Sequence, residues 1–411
     1  MHVVVIGFIW PEPHSSAAGQ NMLNLLTCFK QQGWQVTFCC AAKHSEFEVS
    51  LEAIDIETHD VELNCSSFDT LMASLVPDIV IFDRFMIEEQ FGWRVANTCP
   101  NALRVLNTED LHSLRSARQQ ALKSGSDINL DMDISYREIA SILRSDLTLL
   151  LSQIEIDLLK SKFSIASELL HHWPLLPEIN PQEIHHEVKQ NFEQRQGFVF
   201  IGNYRHAPNW DAVLWLRQTI WPQIRAQLPT ATLSIYGAYQ PPKATQLHAP
   251  KLGFLVKGRA PTAAQVMREA RVCLAPLRFG AGIKGKLLDA IATNTPSVTT
   301  AVGIEGIESA EHWPGKVADE ADQIGIDAVV LHENKQQWEQ ASQQCATLSN
   351  SLFNHSVPCE NLISALKKAL SDIEPRRKRN FLGALLQHHS MASTRYMTQW
   401  IEAKNKDSSH R

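Results

Sequence analysis

LAPLRFGAGIKGKLLDAIATNTPSVTTAVGIEGI, spanning Leu274 to Ile307, reads as an apolar strand ending near Leu277, a glycine-rich turn, a helix over Lys286 to Ala292 and a second strand at PSVTTAV. Strand, turn, helix and strand in this order make the repeating unit of a parallel sheet. Glycines let backbone N–H groups come close to a ligand, and the start of a helix offers unsatisfied donors and a positive dipole end. Lys284 and Lys286 add full positive charge in the same turn, and Asp289 follows one helical turn after Lys286. Such a turn suits a diphosphate, with the Asp289 carboxylate placed to accept hydrogen bonds from ribose hydroxyls. Gly280, Gly282 and Gly285 also spell the GxGxxG of a dinucleotide site, with Glu305 standing where its ribose-binding acid would stand. A purely structural glycine turn is the third reading.

Outward from this segment the same pattern recurs. GFVFIGNY, ATLSIYGAY, LGFLVKG and RVCLAPL precede it as strands, with helical stretches such as WDAVLWLRQTI between them. The first half repeats the alternation with HVVVIGFI, WQVTFCCAA, DIVIFDR, ALRVLNT and DLTLLLS. Its first helix places Ala18, Met22, Leu25, Leu26 and Phe29 at helical spacing, closed by Gly33. The polar run NPQEIHHEVKQNFEQRQ, Asn180 to Gln196, separates the halves. At 411 residues two cores are expected, so the fold class is α/β with two Rossmann-like domains, 1–180 and 196–375, facing across a cleft. Ligands of open parallel sheets bind beyond the carboxyl ends of the strands, which puts the site in that cleft. A last helix over 380–403 follows.

A net charge of -6 with 44% hydrophobic and 20% charged residues is ordinary for a soluble protein and disfavours nucleic acid as a partner. MHVVVIGFIWPEP does not read as a signal peptide, and no run is long and apolar enough to span a membrane. The eight cysteines have no zinc-type spacing, and reduced core thiols in the cytoplasm are expected. The pairs His171–His172, His185–His186 and His388–His389 make poor chelates because adjacent side chains diverge, so no metal is expected.

The segment from Leu274 to Ile307 resembles the donor-binding region of the family-4 glycosyltransferases, retaining enzymes of the glycosyltransferase-B fold. The resemblance extends to the opening strand and its glycine-containing loop, DLTLLLSQIEIDLL, FIGNYRHAPN and the C-terminal helix. It implies a nucleoside diphosphate sugar held mainly by the second domain, an acceptor held mainly by the first, no metal or other cofactor, and a last helix that returns to the first domain. Donor contacts then fall to Gly19, Gly202, Asn203, Gly280, Ala281, Gly282, Ile283, Lys284, Asp289, Gly303 and Glu305. The chain departs from the family at two places. Of two glutamates separated by seven residues, Asp289 stands at the second and Ala281 at the first. The usual Gly-Arg after the first strand of the second domain reads Gly202–Asn203, which leaves Arg205 as the substitute cation.

In the first domain, GFIWPEPHSSAAG, Gly7 to Gly19 with His14, links the first strand to its helix at the cleft edge. RVLNTEDLHSLR brings Glu109, Asp110 and His112 to a strand exit, and the resemblance makes His112 the histidine beside the transferred sugar. Helix capping by Thr108 or Asp110 is the competing account. Asp83 and Arg84 end DIVIFDR and are placed for acceptor contacts or for pairing with one another. The run Arg376 to Arg379 is a solvated surface or a site for anionic headgroups or a lipid-linked acceptor. The expected catalytic set is Lys286, Arg205 and His112, acting on a carbohydrate or lipid-linked acceptor, in a cytoplasmic protein with possible peripheral contact at the inner membrane face. A nucleotide-sugar epimerase, a non-catalytic sugar-nucleotide binder and a nicotinamide-dependent oxidoreductase are the rivals.

Overall fold

The computed structural model describes residues 1–177, 191–353 and 356–408. The first domain carries a parallel sheet of seven strands: β1 (His2–Gly7), β2 (Gln35–Cys40), β3 (Glu57–Asp60), β4 (Ile79–Asp83), β5 (Leu103–Asn107), β6 (Leu147–Leu150) and β7 (Leu170–His172), in the order β3-β2-β1-β4-β5-β6-β7. The second carries six: β8 (Phe198–Ile201), β9 (Leu233–Tyr236), β10 (Phe254–Gly258), β11 (Val272–Ala275), β12 (Ser297–Thr299) and β13 (Gly315–Val317), in the order β10-β9-β8-β11-β12-β13. Both are doubly wound. Strand order reverses beside β1 in one sheet and beside β8 in the other, so the loops after β1 and β4, and after β8 and β11, diverge there and open crevices.

The central strands are apolar throughout because helices cover both faces of each sheet: Val3, Val4, Val5 and Ile6 of β1 are fully buried, as are Phe200 of β8 and Cys273 to Ala275 of β11. The helix Ala17–Gln31 has the expected buried stripe of Met22, Leu25, Leu26 and Phe29, and Gly33 takes φ +68° just after it.

Chain return to the first domain begins at residue 356, earlier than the expected boundary. Helix Lys335–Leu352 packs in the second domain on helices Gly285–Ala292 and Ala321–Glu333, whereas helix Ser356–Ser371 packs on Ala17–Gln31. Its Leu362 and Leu366 join Leu25 and Phe29 in one core. A disulfide joins Cys28 to Cys359 across this contact, which corrects the expectation that all cysteines are reduced; the other six are free thiols. Two helices that approach closely enough to share a core bring two apolar cysteines together, a juxtaposition that cysteine spacing cannot reveal.

The arginine run is corrected in part. On helix Ile373–Arg379, Arg376 is buried and donates to the backbone oxygens of Asp146 and Glu168. Arg377 holds the buried Asp146 carboxylate in two bonds of 2.8 and 2.7 Å, and Arg379 pairs with Glu168 and Asp372. Arg376 and Arg377 are therefore internal clamps, whereas Lys378 and Arg379 are exposed, as expected of a solvated surface. The last helix, Phe381–Ser408, lies on helices Asp133–Arg144 and Phe85–Thr98 of the first domain. Among the described residues no helix is long and apolar enough to cross a membrane.

Candidate active site

Between the two reversal points lies a cleft of about 790 Å³, lined from both domains. Helix Gly285–Ala292 starts at its wall with no side chain capping it. The start of helix Ala17–Gln31 meets it there: a Cβ on Gly285 would stand 2.8 Å from that of Ala17. Two positive dipole ends thus converge on one stretch of cleft wall, and only a glycine allows the approach.

Lys286, in the first turn of this helix, reaches into the cleft wall and donates to Asn209 Oδ1 at 2.5 Å. Loss of solvent around the ammonium pushes its pKa down to about 8, with nearby Cys273 and Asp289 opposing the shift and Lys284 reinforcing it. The ammonium therefore sits in a site that penalises its charge until an anion arrives. Lys284 points elsewhere. Its Nζ donates to Gly282 O at 2.7 Å and lies 3.9 Å from Glu305, and burial pushes it, too, down to about 8. Asp289, one turn further along, lines the cleft, as do Gly280, Ala281 and Ile283.

Of the other expected donor residues, Gly282 and Glu305 are engaged across the domain interface and Gly303 packs within its own domain. Gly282 takes φ +61°, gives its N–H to Glu155 Oε1 of the first domain at 2.8 Å, and lies so close to Asp110 that a Cβ would stand 2.8 Å from that residue's own. Glu305 receives both arms of Arg118 at 2.6 and 2.7 Å, and Arg118 also donates to Gly280 O at 2.8 Å. That pairing leaves no ribose-binding acid for the dinucleotide reading either. Gly303 is buried on the short helix Ala301–Ile304 against the Thr299 side chain, away from the cleft lining. Glu155 was not legible as a site residue: it lies in the apolar run SQIEIDLL, yet it is buried, accepts the N–H groups of both Leu111 and Gly282, and is pushed up to about 8 by that burial and by Asp110.

On the first-domain side, Ser16 caps helix Ala17–Gln31 by accepting from Gly19 N–H at 3.1 Å. Gly19 itself faces the backbone of Glu12 and does not line the cleft; its neighbours Ala17, Ala18 and Gln20 do. Only a glycine at this position lets the backbone of Glu12 pass so closely over the helix. His14 lines the cleft. Asp83 is buried below it, accepts Phe8 N–H at 3.1 Å and is pushed up by burial, while Arg84, with φ +74°, lies over the Phe8 ring and reaches the cleft. Glu109, Asp110 and His112 all line it. Glu109 accepts from Asn21 and Asn107, both at 2.8 Å, and burial with the nearby Asp83 pushes it up to about 8. Burial would raise Asp110 as well, but Arg115 and His112 hold it well below the usual carboxylate range. His112 Nε2 lies 3.5 Å from Asp110 Oδ1, and burial pushes its pKa down to about 4, so the ring is neutral at pH 7. The helix His112–Ser124 is capped by neither Thr108 nor Asp110; Glu138, from another helix, accepts the His112 and Ser113 N–H groups.

After β8, Gly202 and Asn203 line the cleft, and the Asn203 amide donates across it to Ser15 O at 3.4 Å. A Cβ on Gly202 would collide with Asn209, the partner of Lys286. Arg205 is exposed and lies 3.5 Å over the ring of Tyr239, on the side of the cleft formed by the loop after β9. Tyr239 and Asn209 carry no motif that would have singled them out. Among the described residues no three His, Cys, Asp or Glu side chains gather as a metal-binding group. His171 and His172 sit on β7, the His388–His389 pair is on the last helix, and His185–His186 lie outside the described residues.

Residues 195–330 match the family described as Glycosyl transferases group 1. Solved structures share the whole two-domain arrangement. A glycosyltransferase from Rickettsia africae superposes with a TM-score of 0.66 at 11% identity, over 90% of this chain and 98% of that one. A TarM variant from S. aureus, in complex with fondaparinux, α-GlcNAc-glycerol and UDP, gives 0.68 at 9%, over 89% and 99%. Anabaena HepE with UDP-glucose gives 0.64 at 11%, over 90% and 100%. The chain has the glycosyltransferase-B fold. At these identities the likeness is one of fold. No curated protein matches the sequence.

Proposed function

We propose that the protein is a glycosyltransferase that moves a hexosyl group from a nucleoside diphosphate sugar to a carbohydrate or lipid-linked acceptor in the synthesis of a bacterial surface polysaccharide or glycoconjugate. The observation that carries this reading is the Lys286 ammonium, desolvated, donating to the Asn209 amide oxygen and standing 5.1 Å from the centre of the Phe200 ring, where two helix starts converge. A diphosphate supplies the missing negative charge. Asp289 takes the ribose, and the transferred sugar extends toward Arg84, Asp110 and His112 on the facing wall.

In a reaction with retention, the acceptor oxygen attacks the anomeric carbon from the face on which the diphosphate leaves. The bond from that carbon to the phosphate oxygen breaks, the new glycosidic bond forms, and a phosphate oxygen of the departing diphosphate takes the acceptor proton. Lys286 and the helix start neutralise the charge as it develops. A neutral His112 can accept a hydrogen bond from a sugar hydroxyl through one ring nitrogen or donate through the other. Arg205, on the rim, is placed to approach the diphosphate from the opposite side.

Because lysine side chains can take a divalent cation's place at the diphosphate, transfer is expected to survive chelation. The test is product analysis with and without acceptor, in the presence of excess EDTA. A new glycoside formed only with acceptor is the expected result. Activity lost to EDTA and restored by a divalent ion contradicts the cationic role, and an epimerised donor without acceptor contradicts transfer.

A further inference from the structure

We propose that the outward face of helix Phe381–Ser408 is a binding surface for an anionic lipid bilayer. The proposal concerns a surface that contributes nothing to the cleft lining, and it does not depend on the sugar-transfer reading.

This helix departs from the pattern of the others. Its inner side packs on helices Asp133–Arg144 and Phe85–Thr98, with Gly383 and Thr398 buried. Its outer side leaves large apolar groups in water: Phe381 is 72% exposed, Tyr396 67%, Trp400 60%, Leu382 and Met397 each 59%, and Leu385 43%. At about 100° per residue these six fall within an arc of about 160°, and the two buried residues fall opposite. From Phe381 to Trp400 the six span about 28 Å. They form two clusters on one face, Phe381, Leu382 and Leu385 at its start and Tyr396, Met397 and Trp400 towards its end, whereas isolated exposed hydrophobics would need no explanation.

Charge selects the occupant. Arg395 and Lys404 are exposed and fall at the two edges of the apolar arc, and the Lys404 ammonium stands 5.2 Å from the centre of the Trp400 ring. Glu402, by contrast, is turned inward, where it accepts the N–H and hydroxyl of Ser66. Among the described side chains of this helix no carboxylate faces outward. An aromatic and aliphatic face with basic edges is the arrangement that seats in a headgroup layer, the rings at the acyl boundary and the cations among anionic phosphates. A second copy of the chain, pairing through this same patch, would instead bring one set of basic edges against another.

The test uses the full chain and sedimentation with vesicles of phosphatidylglycerol and phosphatidylethanolamine, against vesicles of phosphatidylcholine alone. The wild type is expected to sediment with the anionic vesicles and remain in the supernatant with the neutral ones. Combined Phe381→Ser, Tyr396→Ser and Trp400→Ser, and separately Arg395→Glu with Lys404→Glu, are each expected to lower vesicle binding on the order of tenfold or more while the melting temperature and nucleotide binding are kept. A wild type that stays in the supernatant with anionic vesicles overturns the proposal, as do variants that bind like the wild type. So does a concentration-dependent dimer in light scattering that the triple substitution abolishes, because a second copy then covers this face.

Discussion

Lys286→Ala is expected to lower kcat by on the order of a hundred- to a thousandfold, the loss of about 2.7–4 kcal/mol that follows removal of one positioned group from a developing negative charge. The ammonium stands at an uncapped helix start and is held by Asn209. Negative charge builds on the diphosphate mostly as the sugar departs, so the effect falls more on kcat than on ground-state affinity. Lys284→Ala is expected to be milder, because that ammonium is bonded to Gly282 O and faces Glu305. Unfolding is not the cause to expect: an ammonium whose pKa lies at about 8 in the folded chain is destabilised there relative to water, and its removal leaves the melting temperature unchanged or higher. Steady-state kinetics with calorimetry on both variants decide. Near-normal turnover by a folded Lys286→Ala protein removes the residue from the mechanism and moves attention to Arg205.

Asp146→Ala is expected to be the costliest single change away from the cleft, at about 3–5 kcal/mol of stability. Its buried carboxylate accepts the Arg104 N–H at 2.9 Å and both arms of Arg377, and the Arg104 guanidinium lies 3.6 Å away. Truncation leaves Arg104, itself nearly out of solvent, without its counter-charge and removes one of the clamps that hold the helix Ile373–Arg379 on the first domain. Burial works against this carboxylate's charge, but Arg377 and Arg104 hold its pKa below the usual range. The stability it contributes is therefore fully present above the ordinary carboxylate pKa and is lost as pH falls through the lowered value. Wild type and variant should differ near neutral pH and converge in acid. Urea unfolding across that pH range, with hydrogen exchange on helices 373–408, measures it; a variant equal to wild type at neutral pH contradicts the clamp.

Most of the fold was legible because its central strands are buried on both faces and read as unbroken apolar runs, as HVVVIG and VCLA do. The strands that escaped reading are β3, β7 and β13. ETHD carries no apolar residue, and LHH and GKV are three residues long at sheet edges, so composition and periodicity had nothing to register. At the site, Lys286 and Asp289 could be placed because helical spacing fixes them relative to the turn. Gly282 and Glu305 face the first domain, and the sequence could not show this: a glycine lets a backbone approach something and a carboxylate seeks a partner, but neither says whether that partner is a ligand or the other domain. Glu155 and Arg118, which answer the question, lie more than a hundred residues away on helices with no motif. Cys28 and Cys359 present the same difficulty, since only the return of helix Ser356–Ser371 brings them together.

Calorimetric titration of the wild type with a panel of nucleoside diphosphates, the matching monophosphates and nicotinamide dinucleotide, at about pH 7 and about pH 9.5, tests the central claim most directly. A bound diphosphate favours the charged form of Lys286, whose pKa in the free protein is about 8, so binding takes up a proton once the pH exceeds that value. The account predicts that one diphosphate binds well at the lower pH, that its monophosphate binds more weakly, and that the diphosphate's affinity falls by about tenfold at the higher pH with proton uptake. Equal affinity at both pH values, no preference for diphosphate over monophosphate, or tight binding of the dinucleotide instead would contradict it.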